Sequence, residues 1–139
     1  MQFRIFFSLI ALGIIGLACN SGRSDSTVVA PKLSSIQQEI FDANCNAPSC
    51  HGSGMKGGLS LTAGNSYRQL IGVAGAFDKK NIPAILRVKP GTPDSSLLFI
   101  KITSPDTSEG ELMPKGNDRL SQNKIDAIRQ WILDGAPDN

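Results

Sequence analysis

Cys45-Asn46-Ala47-Pro48-Ser49-Cys50-His51 sets two thiols four residues apart, with the only histidine of the 139-residue chain directly behind the second. Two thiols beside one imidazole carry the chemistry of covalent haem attachment, in which each sulfur adds to a vinyl group and the histidine supplies an axial nitrogen. The usual form is C-x-x-C-H, which is two residues shorter. On a regular helix, at about 100 degrees per residue, Cys45 and Cys50 would face in quite different directions. The segment between them is therefore expected to bulge as a loop. Asn46, Pro48 and Ser49 suit that role, because proline fixes φ and removes a donor while asparagine and serine close turns with their side chains.

Other uses of these residues have to be weighed. A Cys45 to Cys50 disulfide is compatible with an exported protein in an oxidising compartment. It leaves unexplained why His51 follows at once and why Met113-Pro114 stands 62 residues beyond it. A structural zinc site needs four N or S ligands, and the folded region offers Cys45, Cys50 and His51. A blue-copper site needs two histidines, and the chain has one.

Ahead of this motif, residues 1–18 read as an export signal, with Arg4 the single charge and an apolar run, interrupted by Ser8, that ends at small residues. That run is too short for a membrane-spanning helix. Leu17-Ala18-Cys19, followed by Asn20, Ser21 and Gly22, resembles a bacterial lipoprotein signal, although Gly16 stands where a branched apolar residue is usual. The resemblance implies lipidation at Cys19. The alternative is ordinary cleavage near Ala18, which would leave Cys19 an odd free thiol. Counted from Cys19 the mature chain has 121 residues and a formal charge of +1, enough for one domain. A near-neutral balance without a Lys/Arg-rich run gives no support for nucleic-acid binding. Residues 19–32, rich in Ser, Gly and Asp, read as a flexible tether, and residues 33–139 as the folded domain.

Within the domain, Ser34 or Ser35 is expected to cap a first amphipathic helix carrying Ile36, Ile40 and Phe41 and leading into Cys45. The stretch from Gly52 to Gly58 is too glycine-rich to hold regular structure without a template, and Leu59 and Leu61 are expected to turn inward. Ser66 to Ile71 reads as a second helix capped by Asn65 or Ser66, and Lys79 and Lys80 as a solvated pair in a loop. Ile85, Leu86 and Val88 flank Arg87 in an apolar segment. A third helix is predicted from a Thr92 cap and Pro93 onward, with Leu97, Leu98, Phe99, Ile100 and Ile102 leaving it little polar face. The last helix is predicted from Ser121 to about Leu133, with Ile125, Ile128 and Ile132 on one stripe and a stop at Gly135. No strand signal is strong enough for a sheet. The expected class is all-α and loop-rich, with about four helices.

Taken in order, these elements resemble the small bacterial cytochrome c domains with an expanded haem-binding motif. The residues that carry the likeness are Cys45 to Gly52, Gly58 to Leu61, Arg87 to Leu97, Met113-Pro114 and Trp131 to Ala136. The resemblance implies a class I cytochrome c fold, with first and last helices crossing and one haem c held between a histidine and a methionine, here His51 and Met113. His/Met ligation raises the potential relative to bis-nitrogen ligation and suits outer-sphere electron transfer. Arg87 is a candidate partner for a haem carboxylate, since a guanidinium can grip one bidentately; a plain surface arginine is the alternative. Trp131 is expected in the core near Phe41, with a haem carboxylate as the other possible partner of its N–H. A haem-free domain with so few aromatic residues would be marginal.

The function expected from these residues is that of a lipid-anchored monohaem electron carrier, not an enzyme, working between redox protein partners in the periplasm or at the outer membrane or cell surface. Two rivals stand beside it. One is a haem-based gas or redox sensor in which Met113 is a labile ligand. The other is a haem-free, disulfide-stapled lipoprotein binding domain.

Overall fold

A computed structural model describes residues 28–75, 85–107, 110–116 and 119–139. The signal segment, Cys19 with most of the tether, and the Lys79–Lys80 pair lie outside the described residues. Among those described, no helix is long and apolar enough to cross a membrane.

The first element, α1 (Leu33–Ile36), runs without a break into a more loosely wound coil over Gln37–Cys45. At its end the Asn46 N–H bonds the Phe41 carbonyl, five residues back, at 2.9 Å. Leu33, Ile36, Ile40 and Phe41 form one buried stripe, which is what anchors this segment. The expected serine cap is absent. The Leu33 N–H bonds Asn139 Oδ1 at 2.9 Å and the Ser34 N–H bonds the Asn139 carbonyl at 2.8 Å, so the C-terminal residue caps the first helix. Val29, in the stretch read as tether, is also buried in the core, so packing begins ahead of Leu33.

The last helix, α4 (Gln122–Leu133), lies against α1 and buries Ala127, Ile128, Trp131 and Ile132. Trp131 is fully buried in the same core cluster as Phe41. Its Nε1–H donates to the Pro137 carbonyl at 2.9 Å, so that donor is already used within the protein. Beyond the helix, Gly135 adopts φ +92, a left-handed stop that an L side chain would resist.

Between these two helices lie α2 (Ser66–Leu70) and α3 (Leu97–Thr103). The predicted caps of α2 are used otherwise: Ser66 Oγ donates to Gln37 Oε1 at 2.6 Å and Asn65 Nδ2 donates to Thr62 Oγ1 at 2.9 Å. The predicted third helix is two elements, a single tight turn at Pro93–Ser95 and then α3. Ser96 separates them because its backbone is extended and its fully buried hydroxyl is spent on Lys89 and Thr92. Residues 85–88 are extended: the Arg87 N–H bonds the Val73 carbonyl at 2.7 Å, and the Leu97 and Leu98 N–H groups bond Leu86 and Arg87 at 2.9 Å. Strand pairing is minimal, an antiparallel hairpin of β1 (Asp106–Thr107) and β2 (Gly110–Glu111) that the sequence did not signal. With four α-helices and almost no strand among the described residues, the domain is all-α.

Candidate functional site

Cys45, at the end of the loosely wound coil, is half-buried against the core, and the chain then doubles back on itself. The Cys50 N–H bonds the Ala47 carbonyl at 2.8 Å, the His51 N–H the Cys45 carbonyl at 3.1 Å, and the Lys56 N–H the Cys50 carbonyl at 2.9 Å. This is the bulge that the spacing demanded. The turn is closed by contacts only glycine allows: a Cβ on Gly52 would collide with the Asn46 carbonyl oxygen, and one on Gly54 with that of Pro48. The glycine-rich stretch thus finds partners inside the protein, and Lys56–Gly58 forms a further tight turn.

His51 projects from this bulge and is half-buried. Its Nδ1 lies 3.1 Å from the Lys56 carbonyl oxygen. A carbonyl only accepts, so the ring proton belongs on Nδ1 and the lone pair on Nε2. A backbone partner of this kind fixes the tautomer and raises the basicity of the other nitrogen. Burial lowers the His51 pKa most, the backbone groups of Lys56 and Leu59 pull it up, and the charges of Arg87 and Lys101 push it further down. The imidazole therefore stays neutral at neutral pH. The Cys45 thiol is pushed up to about 12, chiefly by burial and next by the neighbouring Cys50, with Lys124 opposing. Both cysteines are free, and Cys50 is exposed.

His51 and Cys45 line an open, mostly apolar cleft. Its apolar wall is built from Leu59, Leu61, Leu70, Leu97, Leu98 and Ile102, and Met113 stands on it. Met113 arrives there because the hairpin after α3 returns the chain alongside the helix, where the Met113 N–H bonds the Lys101 carbonyl at 2.7 Å. The structure therefore brings Cys45, His51, Met113 and Arg87 to one cleft; Cys50 is not among the residues that line it. Met55 is 44% exposed and is not on its wall either.

Arg87 is 8% exposed, so it is no surface arginine. Its Nη1 donates to the carbonyl and the side-chain oxygen of Gln69 at 2.9 and 3.0 Å, and its Nη2 to the carbonyls of Gly57 and Gly58 at 3.3 and 3.1 Å. Burial lowers its pKa. Lys101, which the sequence reading passed over, is 9% exposed and lines the same cleft. The signal for it was the one used for Arg87, a cation inside an apolar run, here Leu97 to Ile102. Among the described residues no three His, Cys, Asp or Glu side chains gather closely enough to hold a metal ion.

The donor set fits a haem better than a bare ion. It consists of one imidazole with its lone pair on Nε2, one thioether and the Cys45 thiol around an apolar slot with two cations at its wall, and the exposed Cys50 thiol stands next to His51 in the chain but off that wall. Compared with known proteins, the chain matches no family model, no curated protein and no solved structure.

Proposed function

We propose that this chain is a lipid-anchored monohaem cytochrome c of the class I type, carrying single electrons between redox partners on the exported side of a membrane. The observation that carries the reading is that His51 and Met113, 62 residues apart in sequence, line one apolar cleft with Cys45. Bound there, a haem supplies a reversible one-electron couple. Cys45 and Cys50 would hold it covalently, and the His51 Nε2 lone pair and the Met113 thioether sulfur would be the groups available to its iron.

The protein groups favour electron transfer over chemistry on a bound substrate. The Lys56 carbonyl keeps the His51 ring in one tautomer, and the cleft wall is mostly apolar, so little has to rearrange when charge changes. Anchoring through Cys19 would keep the domain within reach of membrane-bound partners, a tether of Ser, Gly and Asp setting that reach.

The test is a denaturing gel stained for haem, with spectra of both oxidation states, on protein made with c-type maturation factors. One haem should survive denaturation and acid-acetone extraction, because thioethers do not dissociate. A mass showing only the loss of two hydrogens at Cys45 and Cys50 overturns the reading in favour of a disulfide. For the anchor, the wild type should stay with membranes through a high-salt wash and Cys19→Ser should be released. A wild type that is already soluble removes the lipid.

A further inference from the structure

We propose that Arg87 is a positioning residue for His51: its guanidinium holds the 56–58 turn whose Lys56 carbonyl fixes the imidazole, and it does not serve as a grip for a haem carboxylate. Four terminal N–H groups are available on a guanidinium's two Nη atoms, and each finds an oxygen here. Two go to Gln69, at the C-terminal end of α2, and two to the Gly57 and Gly58 carbonyls. A bidentate carboxylate needs at least one Nη–H, so it could be held only by breaking a bond already made in a buried place.

What those four bonds do can be followed outward. One end of the fork is fixed to α2, which is packed in the core through the fully buried Leu70. The other end pins two successive carbonyls of the turn, and the preceding carbonyl, that of Lys56, accepts from His51 Nδ1 at 3.1 Å. The other bonds of the turn are backbone bonds of short span: the Lys56 N–H to the Cys50 carbonyl at 2.9 Å, the Gly58 N–H to the Met55 carbonyl at 2.8 Å and the Leu59 N–H to that of Lys56 at 3.3 Å, none of which reaches α2. Arg87 is thus the side-chain tie from this turn to α2. A lysine cannot replace it, because one ammonium cannot span Gln69 and both glycine carbonyls in a planar fork.

The redox part of this inference rests on the haem reading above; the hydrogen-bond part does not. The experiment compares wild type, Arg87→Lys and Arg87→Ala as full-length chains, with haem content measured first. In wild type, nitrogen NMR of the histidine ring should show the proton on Nδ1, with slow exchange. In Arg87→Lys that proton should exchange at least tenfold faster. The reduction potential should rise, since a weaker Nδ1–H bond makes the imidazole a poorer donor while the positive charge is retained. Arg87→Ala removes the charge as well, so its potential should lie below that of Arg87→Lys.

If Arg87→Lys keeps the wild-type Nδ1 proton, tautomer and potential, the positioning role is overturned. The same holds if the lysine variant alters only the pH dependence of the potential, as a carboxylate partner would. Should the variants fail to fold, wild type decides alone: through-hydrogen-bond couplings from the Arg87 Nη atoms to the Gly57 and Gly58 carbonyl carbons support the proposal, and their absence ends it. Should the protein carry no haem, the proposed function falls, while the Nδ1 tautomer and its loss in Arg87→Lys still decide for or against this inference.

Discussion

The two walls of the cleft are made in opposite ways. The His51 wall is local: from Cys45 to Leu61 the chain folds onto itself through backbone bonds of short span, with Gly52 and Gly54 permitting approaches that any side chain would block. The Met113 wall is remote. It depends on α3, a hairpin of two two-residue strands and a backbone bond from Met113 to Lys101. A wall closed by sterics has few alternative arrangements, whereas one held by a short hairpin has many. The histidine side should therefore be intolerant of small changes in the loop, and the methionine side tolerant in stability but not in ligand chemistry.

The largest effect is expected at Gly52. An Ala there must push the Asn46 carbonyl away and open the bulge, at a cost of about 3 kcal/mol. A drop in the denaturation midpoint together with loss of haem incorporation would bear that out. An unchanged midpoint would mean that the turn is looser than its glycines suggest.

Next comes Met113→Ala. Met113 is only half-buried, so the stability loss should be about 1 kcal/mol, well below that of Gly52→Ala. In the ferric holoprotein the weak sulfur-to-iron absorption should vanish, the potential should fall, and carbon monoxide should gain access to the ferrous form. Ready binding of carbon monoxide by the wild type would instead favour a sensor and leave Met113 as packing.

Acid should attack the histidine wall first. The folded-state pKa of His51 is lowered, chiefly by burial, so below the unfolded value of about 6.5 the unfolded chain binds the proton more readily. Its contribution to stability should be complete above that pH and be lost as the pH falls toward the folded pKa. Urea midpoints of the haem-free chain taken between pH 7.5 and pH 5 would test this, with flat behaviour across that range counting against the depressed value. The smallest effect belongs to Met55→Ala, expected within about 0.5 kcal/mol and without change in the ferric spectrum, because that side chain is exposed outside the cleft. Loss of the sulfur band in this variant would reverse the assignment of the two methionines.

Much of the fold was legible residue by residue, for the reason that helices advertise themselves locally. The stripe Ile36, Ile40, Phe41 and the stripe Ile125, Ile128, Ile132 became the two helices that meet in the core, with Ile125 only partly buried. Asn65, Thr92 and Ser121 do stand at the N-cap positions of their elements, but the groups that satisfy the helix ends were not legible. Nothing near Ser34 says that Asn139 will come from the other end of the chain to take the first N–H groups, and Ser96 gave no sign that its hydroxyl would end one turn before α3 begins.

By itself the sequence determined the site's chemistry, two thiols and an imidazole in a run of seven residues and a distant Met-Pro pair, because covalent spacing needs no fold to be read. It also required the bulge, since Cys45 and Cys50 cannot share a helix face. Only the tertiary structure decided which residues meet. Met113, and not Met55, stands on the wall that His51 shares; Lys101 turns inward from α3; and Arg87 spends its fork on Gln69, Gly57 and Gly58. Such choices depend on how separate elements are brought together in space, and a guanidinium or an ammonium in an apolar run reads alike whether it will face a ligand, a carbonyl or water.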